Sequence, residues 1–326
     1  MSNMNNTKNI KDTADILMRN IKATSVSGNG ISGLSSGIES LDKITHGFQE
    51  GDFITIAGRP SMGKTAFALS MLKSIAIDRR ETVLYISPSM TGEKLVKRLL
   101  SCVCKIPLDQ IMSGQLSVEQ WDNLERGINV IRESPIFIDD TPGINIARID
   151  ELIRMFAQNN NVKAVFVDYL QLIQPRYNPN RTRNDEVADT VYSLKALALE
   201  LHVPFIVLSQ TSRSTKEDSP FDYPKLSDLR DSGTIEEASD LVVFIHRPEY
   251  YHKYTDENGN DLHGISELYI EKNLMGYTGK IQLKSHMGTA IFEPTALPRS
   301  ISNYMVSRPS ASLSIENITY LKTIGY

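Results

Sequence analysis

Cysteine is almost absent. Two residues, Cys102 and Cys104, in a chain of 326 cannot build a disulfide framework, and a lone C-x-C offers too few ligands for a zinc site. Both are read as small buried apolar residues in a reducing compartment. Long apolar runs are missing as well. No stretch approaches the roughly 18 residues that a membrane span requires, and the polar, Asn-rich segment from Met1 to Lys11 has no signal-peptide core. The expectation is a cytoplasmic protein with no membrane partner. An excess of one charge is also lacking: Lys plus Arg number 35 and Asp plus Glu 39, a net charge of −4. That balance excludes histone-like or tail-driven nucleic-acid binders and leaves a local patch as the route to DNA. Nor is there the low hydrophobicity and high charge of a disordered chain, since 40% of residues are hydrophobic and 23% charged, enough to bury a core. At roughly 150 residues per domain, the length allows one large domain or two small ones.

What the chain does contain is an alternation. Apolar runs at Phe53 to Ala57, Val83 to Ile86, Ile136 to Ile138, Ala164 to Val167, Phe205 to Leu208, Leu241 to Ile245, Leu268 to Ile270 and Lys280 to Leu283 predict strands. Helical periods at Ala66 to Ile77, Glu93 to Cys104, Ala147 to Gln158 and Glu186 to Leu201 fall between the earlier ones. Strands separated by helices predict an α/β fold whose mainly parallel sheet is covered on both faces, and the closely spaced last strands predict an antiparallel edge. Ahead of this, Ile10, Ala14, Leu17 and Ile21 mark one face of a short helix, followed by the Ser/Gly-rich linker Thr24 to Gly30. That stripe requires a partner surface, either its own domain or a neighbouring subunit. The division is therefore 1–30 as helix and linker, 31–296 as the main domain and 297–326 as a tail without clear period.

The segment Gly58, Arg59, Pro60, Ser61, Met62, Gly63, Lys64, Thr65 fits G-x-x-x-x-G-K-[ST] and lies between a strand and a helix, where a phosphate-binding loop must lie. The glycines let backbone N–H groups and the helix N-terminus face phosphates, Lys64 reaches their oxygens, and Thr65 supplies a hydroxyl to Mg²⁺. A second apolar strand ends in Asp168, the arrangement that brings a carboxylate toward the same metal. An ATP- or GTP-binding protein follows. What the nucleotide drives does not.

Narrower motifs follow in order: Gly33-Leu34 with Leu41-Asp42, Asp168-Tyr169-Leu170-Gln171-Leu172, Ser193 to Ala198, Leu208-Ser209-Gln210, and Leu226 to Glu236 with its Asp-Leu-Arg-x-Ser-Gly-x-Ile-Glu pattern. With the phosphate loop, they make the chain resemble the DnaB-type replicative helicases over about Ile31 to Pro294. The resemblance implies a RecA-like P-loop NTPase core, ATP and Mg²⁺ bound between subunits, a ring (a hexamer in the family) and single-stranded DNA through its middle. It also implies that the N-terminal helix is the linker helix that packs on the next subunit. Matched residue by residue, Gln210 would link nucleotide state to the DNA loops and Arg98 would lie near the phosphates. Arg230, Asp231 and Gly233 would fall in a loop facing DNA. Independently, Arg176, Arg181 and Arg183, with Tyr177, make a basic patch in the Pro/Asn-rich loop from Gln174 to Asn184, suited to salt-dependent phosphate contacts.

Three departures qualify that likeness. Only about 30 residues precede the motor, so primase contact through the family's N-terminal collar is not expected. Where the family has the glutamate that activates water, the sequence reads Ser87-Pro88-Ser89-Met90; a positioned base is worth about 10²- to 10⁴-fold, and Glu93 is the nearest substitute. Where the family offers Lys-x-Arg-x-Gly to the neighbour's γ-phosphate, the sequence reads Lys272-Asn273-Leu274-Met275-Gly276. An arginine finger is worth about 10³- to 10⁵-fold in related enzymes, and Lys272 keeps only a point charge. Two readings stand. One is an ATP-hydrolysing DNA helicase or translocase with substituted catalytic positions. The other is an ATP-binding, hydrolysis-poor assembly protein that binds DNA or forms mixed rings with a competent helicase. A RecA-like recombinase or clock-type ATPase fits the later motifs less well.

Overall fold

Residues 9–28, 30–176, 182–211, 223–229 and 232–295 are described by the computed structural model. Its strands are β1 (Phe53–Gly58), β2 (Val83–Ile86), β3 (Ile136–Asp139), β4 (Ala164–Val167), β5 (Phe205–Gln210), β6 (Leu241–His246), β7 (Ile265–Asn273), β8 (Gly279–His286) and β9 (Ile291–Pro294). They form one sheet in the order β3-β2-β4-β5-β1-β6-β7-β8-β9. Pairings from β3 through β6 are parallel and those from β6 to β9 antiparallel. The expected antiparallel edge is there, with β9 added to it.

The helices are α1 (Ile10–Ser27), α2 (Glu39–Thr45), α3 (Lys64–Leu72), α4 (Gly92–Cys104), α5 (Leu108–Ser113), α6 (Val118–Arg132), α7 (Ile146–Asn160), α8 (Arg183–Leu201) and α9 (Ser232–Ala238). Parallel strands buried on both faces must be apolar throughout, and their alternating side chains divide into two cores. Ile54, Ile56, Tyr85, Phe166, Ile206 and Leu208 meet α3 and α4 on one face. Phe53, Leu84, Ile86, Val165, Phe205 and Val207 meet α7, α8 and α9 on the other. A smaller cluster around Leu100, Cys104 and Ile106 packs α4 against α5 and α6, and Cys102, on another face of α4, donates to the Ala290 carbonyl; both cysteines are buried as expected. No helix among the described residues is long and apolar enough to cross a membrane.

Helix α1 begins at Asn9, whose side chain accepts from the Lys11 N–H at 3.0 Å. It runs into the segment expected to be linker, because neither Gly nor Pro interrupts it before Gly28, where φ turns to 70°. Leu17 and Ile21 on its stripe are 59% and 54% exposed, so the helix is not folded back on its own domain. The expected tail, Leu297 to Tyr326, lies outside the described residues.

Candidate functional site

Four parallel strands deliver chemistry to the same edge of the sheet: the phosphate loop follows β1, Ser87 to Met90 follow β2, Asp168 follows β4, and Gln210 ends β5. The C-terminal edge of such a sheet is where α/β folds bind ligands. The loop turns sharply, with φ at 65° for Ser61 and 94° for Gly63. At Gly58 the constraint is contact, because a Cβ there would stand 2.8 Å from the Ile245 carbonyl oxygen of β6. Helix α3 starts at Lys64 and is anchored by buried Ala66, Phe67, Leu69 and Leu72, so its unsatisfied first N–H groups face the loop.

The Lys64 ammonium donates to the carbonyls of Gly58 at 2.8 Å and Arg59 at 3.1 Å. Burial lowers its pKa to about 8, against the opposing pull of Asp168, so it is mainly charged at neutral pH. Asp168 is 2% exposed. Burial raises its pKa, while hydrogen bonds from Thr65 and Tyr85 and the charges of Lys64 and Arg98 oppose that rise. Both hydroxyls converge on one oxygen: Thr65 Oγ1 donates to Asp168 Oδ2 at 2.8 Å and the Tyr85 hydroxyl at 3.0 Å. One hydroxyl and one carboxylate suit Mg²⁺, which keeps waters and phosphate oxygens as ligands, better than an all-protein metal cage. No group of three His, Cys, Asp or Glu that could hold a metal occurs among the described residues.

These groups open onto a cleft of about 410 Å³, within the range of ligand pockets. Pro60, Ser61, Gly63, Lys64, Thr65, Arg98, Asp168 and Gln210 line it, as do Ser89 and the turn Met287 to Ala290. Three loop residues expected to contact nucleotide are absent from that lining. Gly58 belongs to β1, Met62 is fully buried in the core, and the Arg59 guanidinium lies 5.8 Å from the Tyr251 ring centre, a cation–π arrangement. Gln210 is held from behind by Gln171, whose Oε1 accepts from the Gln210 N–H at 3.2 Å and whose Nε2 donates to Ser209 Oγ at 2.8 Å.

Among the described residues no carboxylate other than Asp168 and no arginine other than Arg98 lines the cleft. Ser89 is exposed at the cleft, on a turn closed by the Ser87 hydroxyl donating to the Met90 carbonyl at 2.8 Å. Glu93 faces away: its side chain is 76% exposed and pairs with Lys97 at 2.6 Å. Lys272 lies outside its own chain's cleft and donates to the Glu236 and Glu237 carbonyls at 2.7 and 3.3 Å, at the C-terminal end of α9. Leu274 is 66% exposed at the β7–β8 hairpin.

Of the expected DNA-binding residues, Arg176 is exposed. Arg183 opens α8 rather than lying in the loop, because Thr182 and Asp185 form a capping box there. Gly233 sits in α9 rather than in a loop, and a Cβ added there meets nothing within 4 Å. Arg181, Arg230 and Asp231 lie outside the described residues. Sequence reasoning missed Tyr85, Gln171 as a support for Gln210, and the turn Met287 to Ala290. Only Tyr85 carried a signal, as a hydroxyl in the otherwise apolar strand Val83–Ile86.

With this geometry in view, residues 33–294 match the family described as DnaB-like helicase C terminal domain. The chain belongs to that family. It is similar to the replicative DNA helicase DnaB of Geobacillus stearothermophilus, 39% identical over 276 residues, which are 85% of this chain and 60% of the relative. A probable replicative DNA helicase of Trieres chinensis is 41% identical over 255 residues, 78% of this chain and 55% of the relative. Among solved structures, an isolated ATPase domain aligns with a TM-score of 0.80 at 31% identity, covering 89% of this chain and all of that one. A DnaB-like replicative helicase studied with primase aligns with a TM-score of 0.76 at 31% identity, covering 89% of this chain and 68% of that one. The sheet with its antiparallel edge is thus a RecA-fold ATPase core of the DnaB-like type. The chain spans about three fifths of the length of the curated relatives it matches.

Proposed function

We propose that the chain is the motor of a DnaB-like DNA helicase or translocase that binds ATP with Mg²⁺, encircles single-stranded DNA as a ring, and hydrolyses ATP poorly on its own. The observation that carries this is the composition of the cleft. Lys64, Thr65 and Asp168 are assembled for a Mg²⁺-nucleotide, while Asp168 is the only carboxylate lining the cleft among the described residues. When bound, Mg²⁺ would neutralise phosphate charge beside Thr65 and Asp168, and Lys64 would turn from its loop carbonyls toward the phosphates. Arg98 would add positive charge, and Gln210 would sense the nucleotide from the end of β5.

The remaining parts of the reading follow the family likeness. Segment 1–30 acts as the linker, its exposed stripe on α1 docking on the next subunit of a hexamer; 31–296 is the motor and 297–326 a tail. Arg176, Arg181, Arg183, Arg230, Asp231 and Gly233 face DNA, Lys272 faces the neighbour's nucleotide, and the protein works in the cytoplasm. Contact with primase through a collar domain forms no part of the proposal. A second reading, a binding or assembly subunit in mixed rings with a complete helicase, is favoured by Ser89 and Leu274 together, which remove groups from opposite sides of one shared site.

ATP turnover at low salt, with and without single-stranded DNA and with Lys64→Ala as the blank, tests both. Slow, DNA-stimulated turnover above the blank supports the motor. Turnover equal to the blank that rises on mixing with a DnaB-type subunit carrying its own glutamate and arginine supports the mixed ring. Fast turnover, about 10² s⁻¹ or more in the upper range of enzyme rates, would overturn the assignment of poor hydrolysis.

A further inference from the structure

Strand β2 contains Val83, Leu84, Tyr85 and Ile86, all buried. Tyr85 is fully enclosed, and taking its hydroxyl out of water without a hydrogen-bond partner is unfavourable. Phenylalanine would fill the same core without that cost. The ring stacks on Phe166 of β4, with centroids 5.6 Å apart and planes at 9°, in register across the parallel pair. Asp168 follows Phe166 by two residues, and residues two apart on an extended chain point the same way. The ring therefore extends along the sheet toward the carboxylate, and its hydroxyl ends 3.0 Å from Asp168 Oδ2, the atom that Thr65 Oγ1 also meets at 2.8 Å.

We infer that Tyr85 is a positioning residue for the metal site: its hydroxyl fixes the rotation of the Asp168 carboxylate and thereby sets how tightly the site holds the Mg²⁺ of a bound nucleotide. This rests on the reading that Thr65 and Asp168 serve a Mg²⁺-nucleotide. A carboxylate held by Thr65 alone turns about its terminal bond, a broad and soft torsion. Two donors on one oxygen, from α3 and β2, pin it. Outer partners of metal-binding groups are typically worth about 10- to 100-fold in metal affinity or activity, and a packing role for the ring requires no hydroxyl.

The test uses the full chain, a fluorescent ATP analogue and a Mg²⁺ titration, with a second series in EDTA. In Tyr85→Phe the Mg²⁺ midpoint of nucleotide binding rises by about tenfold or more, while affinity in EDTA and the melting temperature stay near wild type. Tyr85→Met, which also lacks the hydroxyl and suits an apolar strand, repeats the comparison should the Phe variant fold poorly. In an Asp168→Asn background the same substitution adds no further shift, because the group it positions is gone. A Mg²⁺ midpoint unchanged or lowered in the folded variant overturns the inference and leaves the Mg²⁺-nucleotide reading standing. Equal losses with and without metal show a purely structural role and also overturn it. If wild-type binding is itself indifferent to Mg²⁺, both readings fall together.

Discussion

Ser89→Glu should accelerate ATP turnover at the site. Position 89 is exposed at the cleft on a turn closed by Ser87 and Met90, so the longer side chain meets no core and the stability change stays within about 0.5 kcal/mol. Lys64 and Arg98 line the same cleft, and their charge offsets the repulsion between the new carboxylate and Asp168. A positioned base contributes about 10²- to 10⁴-fold, or about 2.7–5.4 kcal/mol of barrier at 1.36 kcal/mol per decade. The assay is steady-state ATP turnover of wild type, Ser89→Glu, and Ser89→Glu with Leu274→Arg, each with and without single-stranded DNA, alongside nucleotide affinity. The single variant should gain at least about 10²-fold. Adding the arginine should multiply that further, since in the proposed ring position 274, exposed at the hairpin, would face a different subunit's nucleotide. A Ser89→Glu protein that binds nucleotide as wild type does, yet turns it over no faster even with Leu274→Arg, would refute the assignment of position 89 as the vacant base site.

Four further outcomes are expected. Lys64→Ala should weaken Mg²⁺-nucleotide binding by about 10- to 100-fold, the worth of hydrogen bonds to a charged group, read by fluorescence titration; unaltered affinity would remove Lys64 from the site. Arg176→Ala should reduce the slope of log affinity for single-stranded DNA against log salt by about 0.7, one phosphate contact, and an unchanged slope would mean that Arg176 touches no DNA. Gly33→Ala should destabilise the fold by about 1–3 kcal/mol, measured by chemical denaturation, because its Cβ would collide with the Phe48 carbonyl oxygen and part the Leu34–Phe48 bridge. Asp52 is raised from 3.8 to about 6, first by burial and further by the charge of Asp240, with the Gln49 N–H and Lys195 opposing. Its folded form holds a proton the unfolded chain has lost, so the contribution of Asp52 to stability should fall as pH rises from about 4 to about 6 and then level. In melting curves the advantage of Asp52→Asn should grow across that window, and a difference independent of pH would contradict the shift.

The parts of the site that were legible are contiguous in the chain. Residues 58–65 carry the pattern of a phosphate loop in one contiguous stretch because the chemistry of wrapping a phosphate is local to one turn and one helix start. Asp168 declares itself by ending an apolar strand. The parallel sheet was legible because burial on both faces forces uninterrupted apolar runs. Helix α6 was not, although Ser117 and Gln120 form a capping box at its start. It lies on the periphery, Val118 and Trp121 are exposed, and Gly127 is its only buried residue, so its apolar period is faint. Strand β9 is four residues long and ends in Pro294, a signature weaker than that of the turn preceding it.

The sequence by itself determined the fold class, the glycine-lysine loop between β1 and α3, the strand-end carboxylate, and which residues stand at positions 89 and 274. These are properties of short windows, in which side-chain type and spacing carry the physics. Only the tertiary structure decided that Glu93 pairs with Lys97 instead of entering the cleft, that Met62 and Arg59 turn away from it, and that Tyr85 meets Asp168 across 83 positions of sequence. Those outcomes depend on which strand lies beside which and on which face a helix presents to the sheet. They are set by the burial of many distant residues at once, and no local pattern contains them.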